Sequence, residues 1–180
     1  MKKILLLFTA FIVLMSSCKQ KGDSKNGSKP DAGKLLKEIQ SDEKQLFNEN
    51  INNIDFEKAI ELANKYEEYA KAFPDDTLAP EMLFKASDIL MNFGKPHRTI
   101  SLFKKLIHDY PEYKKVAICY FLMAFVYDDQ LKDYKNAAKY YQLYLDKYPG
   151  GEFSKDAQMA LKYLGKPADE LIKAFEEKNK

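Results

Sequence analysis

The segment FGKPHRTISLFKKLIHDYP at residues 93–111 returns one unit later as QLKDYKNAAKYYQLYLDKYP at residues 130–149. Both stretches begin with turn residues, continue with apolar residues at helical spacing, and end with an aromatic residue and a proline. A second matching pair, residues 73–90 and 110–127, precedes them, and a shortened copy begins at residue 148. The prolines that mark the copies are Pro74, Pro111 and Pro149. An internal repeat of two elements therefore determines the fold.

Each unit predicts two amphipathic helices, because its apolar residues recur three and four positions apart. In the first helix the shared face carries Leu83, Ala86 and Leu90, and in the second it carries Ile100, Phe103, Leu106 and Ile107. Gly94 and Gly165 suit the left-handed conformation that ends a helix, and Pro96 and Pro167 suit the first turn of the next one.

An earlier unit is predicted upstream, with its second helix at residues 56–73 and a weaker first helix near residues 33–50. The sequence thus predicts an all-α domain of about three and a half helix pairs over residues 34–180.

The pattern resembles the tetratricopeptide repeat, a helix–turn–helix unit of about 34 residues. The family's first-helix signature falls on Leu83, Ala86, Ser87 and Leu90, and then on Tyr120, Met123, Ala124 and Tyr127. Its second-helix signature falls on Thr99, Phe103, Leu106 and Pro111, and then on Ala137, Tyr141, Tyr144 and Pro149. The resemblance implies a short right-handed α-solenoid.

Several positions depart from the family pattern. The chain has no Trp, Thr99 stands where Ala is usual, and Tyr144 stands where a small residue is usual. The units are also three or four residues longer than the family's, and we expect the extra residues after each proline.

The N-terminus predicts export and a lipid anchor. Two lysines precede an apolar run at residues 4–15, which is shorter than the roughly 20 residues of a bilayer span and typical of a secretory signal. The run leads into MSSC at residues 15–18, which resembles the lipobox of bacterial lipoproteins. This resemblance implies a signal peptide over residues 1–17 and lipid attached to Cys18. An ordinary cleaved signal with an incidental cysteine is the alternative.

Residues 18–33 are polar except for the lipidated cysteine and Ala32, and such a composition predicts a flexible tether. Lys19 follows the cysteine, which resembles sorting to the outer membrane and favours its periplasmic side. The whole layout is similar to that of envelope lipoproteins with tetratricopeptide repeats, such as the barrel-assembly lipoprotein, the Tol–Pal coordinator and uncharacterised proteins of Bacteroidetes-type bacteria.

The net charge argues against nucleic acid as a partner. The chain has 29 Lys and Arg against 27 Asp and Glu. Removal of residues 1–17, which contain Lys2, Lys3 and no acid, brings the net charge to zero. A neutral chain lacks the basic field that nucleic-acid binding requires.

The sequence shows no catalytic constellation and no cofactor or metal site. The two histidines, His97 and His108, lie on one predicted helix with about 16 Å of rise between them, so they cannot share a metal. Cys119 lies in an apolar stretch and is expected to be buried, although the cysteine count also allows a disulfide with Cys18. We therefore predict that the protein is not an enzyme.

A binding groove is predicted instead, because the first helices of stacked repeats line a concave surface. The family's groove-facing positions fall on Phe84, Asp88, Met91, Asn92, Phe121, Phe125, Asp128 and Asp129. Such an apolar strip with an acidic edge suits an extended peptide or helix that carries apolar anchors and Lys or Arg. Alternatively, a C-terminal helix at residues 167–178 covers the phenylalanines.

These features predict a membrane-anchored, non-enzymatic adaptor that binds another envelope protein through its concave face. One alternative is a subunit of outer-membrane β-barrel assembly. Another is a lipoprotein that binds glycan or peptidoglycan by stacking sugars on Tyr110, Tyr113, Tyr134, Tyr140, Tyr141, Tyr144 and Tyr148. Aromatic residues at helical spacing are more often packing residues than sugar platforms.

Overall fold

The computed structural model describes residues 30–48, 54–167 and 170, and the predicted signal and most of the predicted tether lie outside them. The described residues form seven α-helices and no β-strand, so the predicted all-α fold is confirmed. The helices are α1 Ala32–Asn48, α2 Phe56–Ala72, α3 Ala79–Asn92, α4 Pro96–Asp109, α5 Val116–Phe125, α6 Tyr134–Lys147 and α7 Ser154–Tyr163. None of these helices is both long enough and apolar enough to cross a bilayer.

The helices stack in chain order, and each packs mainly on the helix before it and the helix after it. α1/α2, α3/α4 and α5/α6 are the three pairs, and α7 is the first helix of the next unit. This arrangement is an α-helical repeat solenoid, in which contacts are local and one continuous core runs along the stack. α1 begins at Ala32, two residues before the predicted start of the repeat domain.

The signature positions form this core. Leu83, Ala86, Ser87 and Leu90 of α3 are all buried, as are Phe103 and Leu106 of α4. Thr99 and Tyr144, which depart from the family pattern, are also buried, and each has a hydrogen-bond partner for its hydroxyl group. The Thr99 hydroxyl donates to the Lys95 carbonyl at 3.0 Å, and the Tyr144 hydroxyl accepts from the Phe153 N–H at 3.0 Å.

The loop that contains each proline, which we call the post-proline loop, has six residues in all three units, and its side chains connect neighbouring repeats. The Tyr110 hydroxyl donates to the Pro74 carbonyl at 2.9 Å. Tyr113 and Lys115 both donate to the Glu81 carboxylate, at 2.7 Å and 2.9 Å. These bonds hold the second loop against the first loop and against the start of α3.

The turns between paired helices differ at one equivalent position. Gly94 follows α3 with φ +64°, as the sequence predicted, and the Lys95 N–H donates back to the Leu90 carbonyl at 2.8 Å. One repeat later this position is Lys132, which has φ +53°. A side chain in this conformation is strained, because Cβ approaches the carbonyl oxygen.

The second unit has one extra residue, and its place differs from the prediction. The three post-proline loops are equal in length, so the difference does not lie there. α3 has 14 residues, whereas α5 continues directly into a five-residue π-helical segment, Val126–Gln130, which we call the π segment. An inserted residue in a helix is commonly absorbed as such a wider turn. The expectation that every extra residue follows a proline is therefore wrong for this one.

Candidate functional site

Within the described part of the chain, the first helices have one side that does not pack in the core, which we call the first-helix face. It consists of the eight predicted groove residues on α3, α5 and the π segment, and none of the eight is fully buried. They are Phe84, Asp88, Met91, Asn92, Phe121, Phe125, Asp128 and Asp129. The opposite sides of α3 and α5 carry the core residues, so the helical spacing separates a packed side from an open one.

Phe84 and Phe121, two of these residues, are half-buried by contacts within the chain. The Phe84 ring lies 6.4 Å from the Phe103 ring. The Lys115 ammonium lies 4.3 Å from the centre of the Phe84 ring. The Phe121 ring stacks on Phe153 with centroids 4.9 Å apart, and it also contacts two tyrosine rings of α6. Both phenylalanines therefore contribute to folding as well as to the face.

On α5 and α7, two large apolar side chains are open to solvent. Phe125 is 40% exposed, and Met159 of α7 is 47% exposed. Met159 lies 38 residues after Phe121 and at the same place in its helix, since α5 begins at Val116 and α7 at Ser154. Met159 is not among the predicted groove residues, although its position follows from Phe121 by counting one repeat forward. Met159 extends the apolar row of the first-helix face onto α7.

Two cavities lie on either side of α3. One, of about 320 Å³, is lined by Glu43, Phe47, Tyr66, Lys85, Asp88 and Ile89 from the first three helices. The other, of about 450 Å³, lies between α3, α5 and the third post-proline loop, and its lining includes Phe84, Ile118, Tyr148 and Phe153. Each is largely apolar and could receive a side chain of a bound segment.

Two lysines of this region, Lys85 and Lys115, have acidic partners. Lys85 donates to Glu43 at 2.6 Å, and the Tyr66 hydroxyl donates to the same oxygen at 2.6 Å. Lys115 pairs with Glu81 at 2.9 Å. Burial would raise the pKa of Glu81, but the hydrogen bonds from Lys115 and Tyr113 outweigh it and the pKa is lowered. Both lysine charges are thus neutralised within the chain.

Two of the three aspartates of the face are less well compensated, whereas Asp129 lies 3.7 Å from the Lys132 ammonium. Among the described residues, neither Asp88 nor Asp128 has a cation within ion-pair distance. Desolvation raises the pKa of both carboxyl groups. The hydrogen bond with Asn92 and the charge of Lys115 lower the pKa of Asp88, but by less than desolvation raises it. The charge of Lys132 likewise lowers the pKa of Asp128 by less than desolvation raises it. The face therefore carries two carboxylates that would gain from a nearby cation.

Gln130, at the end of the π segment, ties this segment to α3. Its amide nitrogen donates to the Met91 carbonyl at 2.9 Å. Its amide oxygen is buried and has no hydrogen-bond partner among the described residues. This bond fixes the two aspartates of the π segment relative to α3, and no sequence pattern indicated it.

The remaining titratable candidates do not form a reactive centre. Cys119 is fully buried, as predicted, and burial raises the pKa of its thiol to about 12. His108 is exposed and contacts Asp109 at 2.6 Å. Within the described parts of the chain, no group of three or more His, Cys, Asp or Glu side chains could hold a metal ion.

The tyrosines are mostly packing residues. Of the seven considered as a sugar platform, Tyr141 and Tyr144 are buried and only Tyr134 is exposed. The Tyr140 ring lies parallel to the Tyr127 ring, 5.5 Å away. A sugar platform needs exposed ring faces, which these tyrosines offer at one position.

Cys18 and the predicted helix at residues 167–178, apart from residues 167 and 170, lie outside the described residues.

The comparison with protein families agrees with the fold. The tetratricopeptide repeat family matches residues 81–113 and 119–151, which correspond to α3/α4 and to α5/α6 with the loops that follow them. The chain has no significant match among curated proteins and none among solved structures. These two units therefore match the tetratricopeptide repeat in sequence, and each of them is a helix pair.

Proposed function

We propose that this chain, which carries two tetratricopeptide repeats, is a non-enzymatic adaptor held at the outer membrane by a lipid on Cys18. It binds another cell-envelope protein through the first-helix face. The observation that carries the proposal is the exposure of Phe125 and Met159, 40% and 47%, on helices whose other side is packed in the core. Large apolar side chains that are exposed on one surface are typical of protein-interaction sites.

The binding proposal is tested by crosslinking in cells, affinity purification and mass spectrometry. The test variant is Phe125→Glu with Met159→Glu. Phe121 is left intact, because its contacts with Phe153 and α6 make it part of the fold. Ser101→Glu with Thr77→Glu is the matched control, since both residues are exposed outside the face.

We expect one dominant envelope protein to be recovered with the wild type and the control and lost with the test variant. Recovery of the same proteins from all three would reject the first-helix face. The identity of the recovered protein decides between a general adaptor and a subunit of β-barrel assembly.

The anchor is tested separately, because it rests on the sequence of residues 1–18. Cells grown with an alkyne-bearing fatty acid should label the wild-type chain, and Cys18→Ser should abolish both the label and fractionation with membranes. Equal labelling of the two chains would contradict lipid attachment at Cys18.

A further inference from the structure

We infer that the first-helix face binds a cationic amphipathic segment of its partner, one that combines apolar side chains with lysine or arginine. This inference rests on the proposed function and specifies the chemistry of the partner. It starts from the distribution of charge on the face and from the apolar surface beside each uncompensated carboxylate.

The eight residues of the face include three aspartates and no lysine or arginine, although Lys85, Lys114 and Lys115 line the cavities beside it. Lys85 is bound to Glu43 at 2.6 Å and Lys115 to Glu81 at 2.9 Å, so neither offers a free cation. Asp88 and Asp128 have no such partner among the described residues. A bound lysine or arginine would complete these two ion pairs, whereas an acidic segment would be repelled.

Apolar surface adjoins each of these carboxylates. Asp88 lines the cavity of about 320 Å³ together with Phe47 and Ile89. Phe125, the last residue of α5, is 40% exposed and precedes Asp128 of the π segment by three residues. Burial and the nearby charge of Asp128 raise the pKa of Tyr141, whose ring packs against Phe121. Each place would therefore accept an apolar side chain and a cation from the same segment, as an amphipathic ligand provides.

The chain already contains one contact of the kind that we propose. The Lys115 ammonium lies 4.3 Å from the centre of the Phe84 ring and is held there by Glu81 at 2.9 Å. The cation is thus placed between a ring and a carboxylate, both of which attract it. Phe125 and Asp128 offer an exposed ring and a carboxylate three residues apart, and no ion pair from the described part of the chain occupies this carboxylate.

The test uses the purified full-length chain and two short dye-labelled peptides with the same leucine pattern. One peptide carries lysine at its polar positions and the other carries glutamate, and binding is followed by fluorescence anisotropy. The test variant is Asp88→Asn with Asp128→Asn. The control, Glu68→Gln with Glu112→Gln, removes two charges from exposed residues elsewhere. Circular dichroism verifies that both variants fold.

We expect the lysine peptide to bind the wild type and the control equally, and to bind the test variant about five- to tenfold more weakly, as two partly exposed ion pairs allow. Added salt should reduce this difference. Equal affinity for the test variant and the control, or equally tight binding of the glutamate peptide, would overturn the inference.

The two proposals can fail independently. If the cellular partner is lost with Phe125→Glu and Met159→Glu but retained with Asp88→Asn and Asp128→Asn, the adaptor function stands and the cationic segment is rejected. If the lysine peptide depends on both aspartates while no envelope protein is ever recovered, the chemistry of the face stands and the envelope partner is rejected.

Discussion

Lys115 and Phe153 occupy the same position one repeat apart, and each lies against a phenylalanine of the first-helix face. The Lys115 ammonium lies 4.3 Å from the centre of the Phe84 ring, and the Phe153 ring stacks 4.9 Å from the Phe121 ring. Both come from the last residue of a post-proline loop. The loops therefore do more than connect helices, because each one covers the apolar residue of the repeat before it.

This relationship predicts unequal effects of truncation. Phe153→Ala should lower the free energy of unfolding by about 2 kcal/mol, less than the loss for a fully buried ring because Phe153 is half-buried. Lys115→Ala should cost about 1 kcal/mol, since it removes a partly exposed ion pair and a cation–π contact. Urea denaturation measures both values. A Phe153→Ala chain as stable as the wild type would show that the stacked pair contributes nothing.

The turn after the π segment predicts a stabilising substitution. Lys132 has φ +53°, and its equivalent Gly94 has φ +64°. Lys132→Gly should raise the free energy of unfolding by about 0.5–1 kcal/mol, because relief of the Cβ strain exceeds the entropy that glycine adds to the unfolded chain. Gly94→Ala is the reciprocal control and should be destabilising. Thermal unfolding that moves in the opposite direction for either variant would contradict the argument.

The pKa of Asp128 predicts a pH-dependent gain in stability. Desolvation raises this pKa in the folded chain, so the ionised carboxylate destabilises the folded state at neutral pH. Asp128→Asn should therefore be more stable than the wild type at pH 7. The difference should shrink as the pH falls through the raised pKa and vanish below the ordinary aspartate range. Urea titrations at several pH values measure it, and a difference that grows on acidification would contradict the sign.

Burial of Cys119 predicts an inert thiol. The side chain is fully buried and its pKa is raised to about 12, so little thiolate forms at neutral pH and a reagent has no access to it. With Cys18→Ser as the background, iodoacetamide should label Cys119 only after the chain is unfolded. Rapid labelling of the native chain, detected by mass spectrometry, would show that the α5 region opens readily.

Much of the fold could be predicted because the spacing of the apolar residues and the positions of the turn residues recur in each repeat. The buried positions of α3 and α4 follow directly from residues such as Leu83 and Phe103, and the start of α4 follows from Gly94 and Pro96. The π segment could not be found in this way. A single extra residue leaves the local composition unchanged, and its location depends on which part of the repeat can widen.

Repeat position also explains how much of the candidate site's geometry could be predicted. Repeat position identified which residues face away from the core, and none of the eight predicted groove residues is buried. Repeat position did not indicate which of them pack against the chain itself, because Lys115 and Phe153 reach Phe84 and Phe121 from loops. Nor did it separate the neutralised lysines from the uncompensated aspartates, since ion pairs such as Lys85 with Glu43 join distant parts of the chain.

The most direct test of the central claim is site-specific photo-crosslinking in living cells. A photoreactive amino acid replaces Phe125 on the first-helix face in one strain and Ser101, an exposed residue of α4, in another. We predict one discrete crosslinked product with an envelope protein at position 125 and none with that protein at position 101. The same product at both positions, or at position 101 alone, would contradict an adaptor that works through its first-helix face.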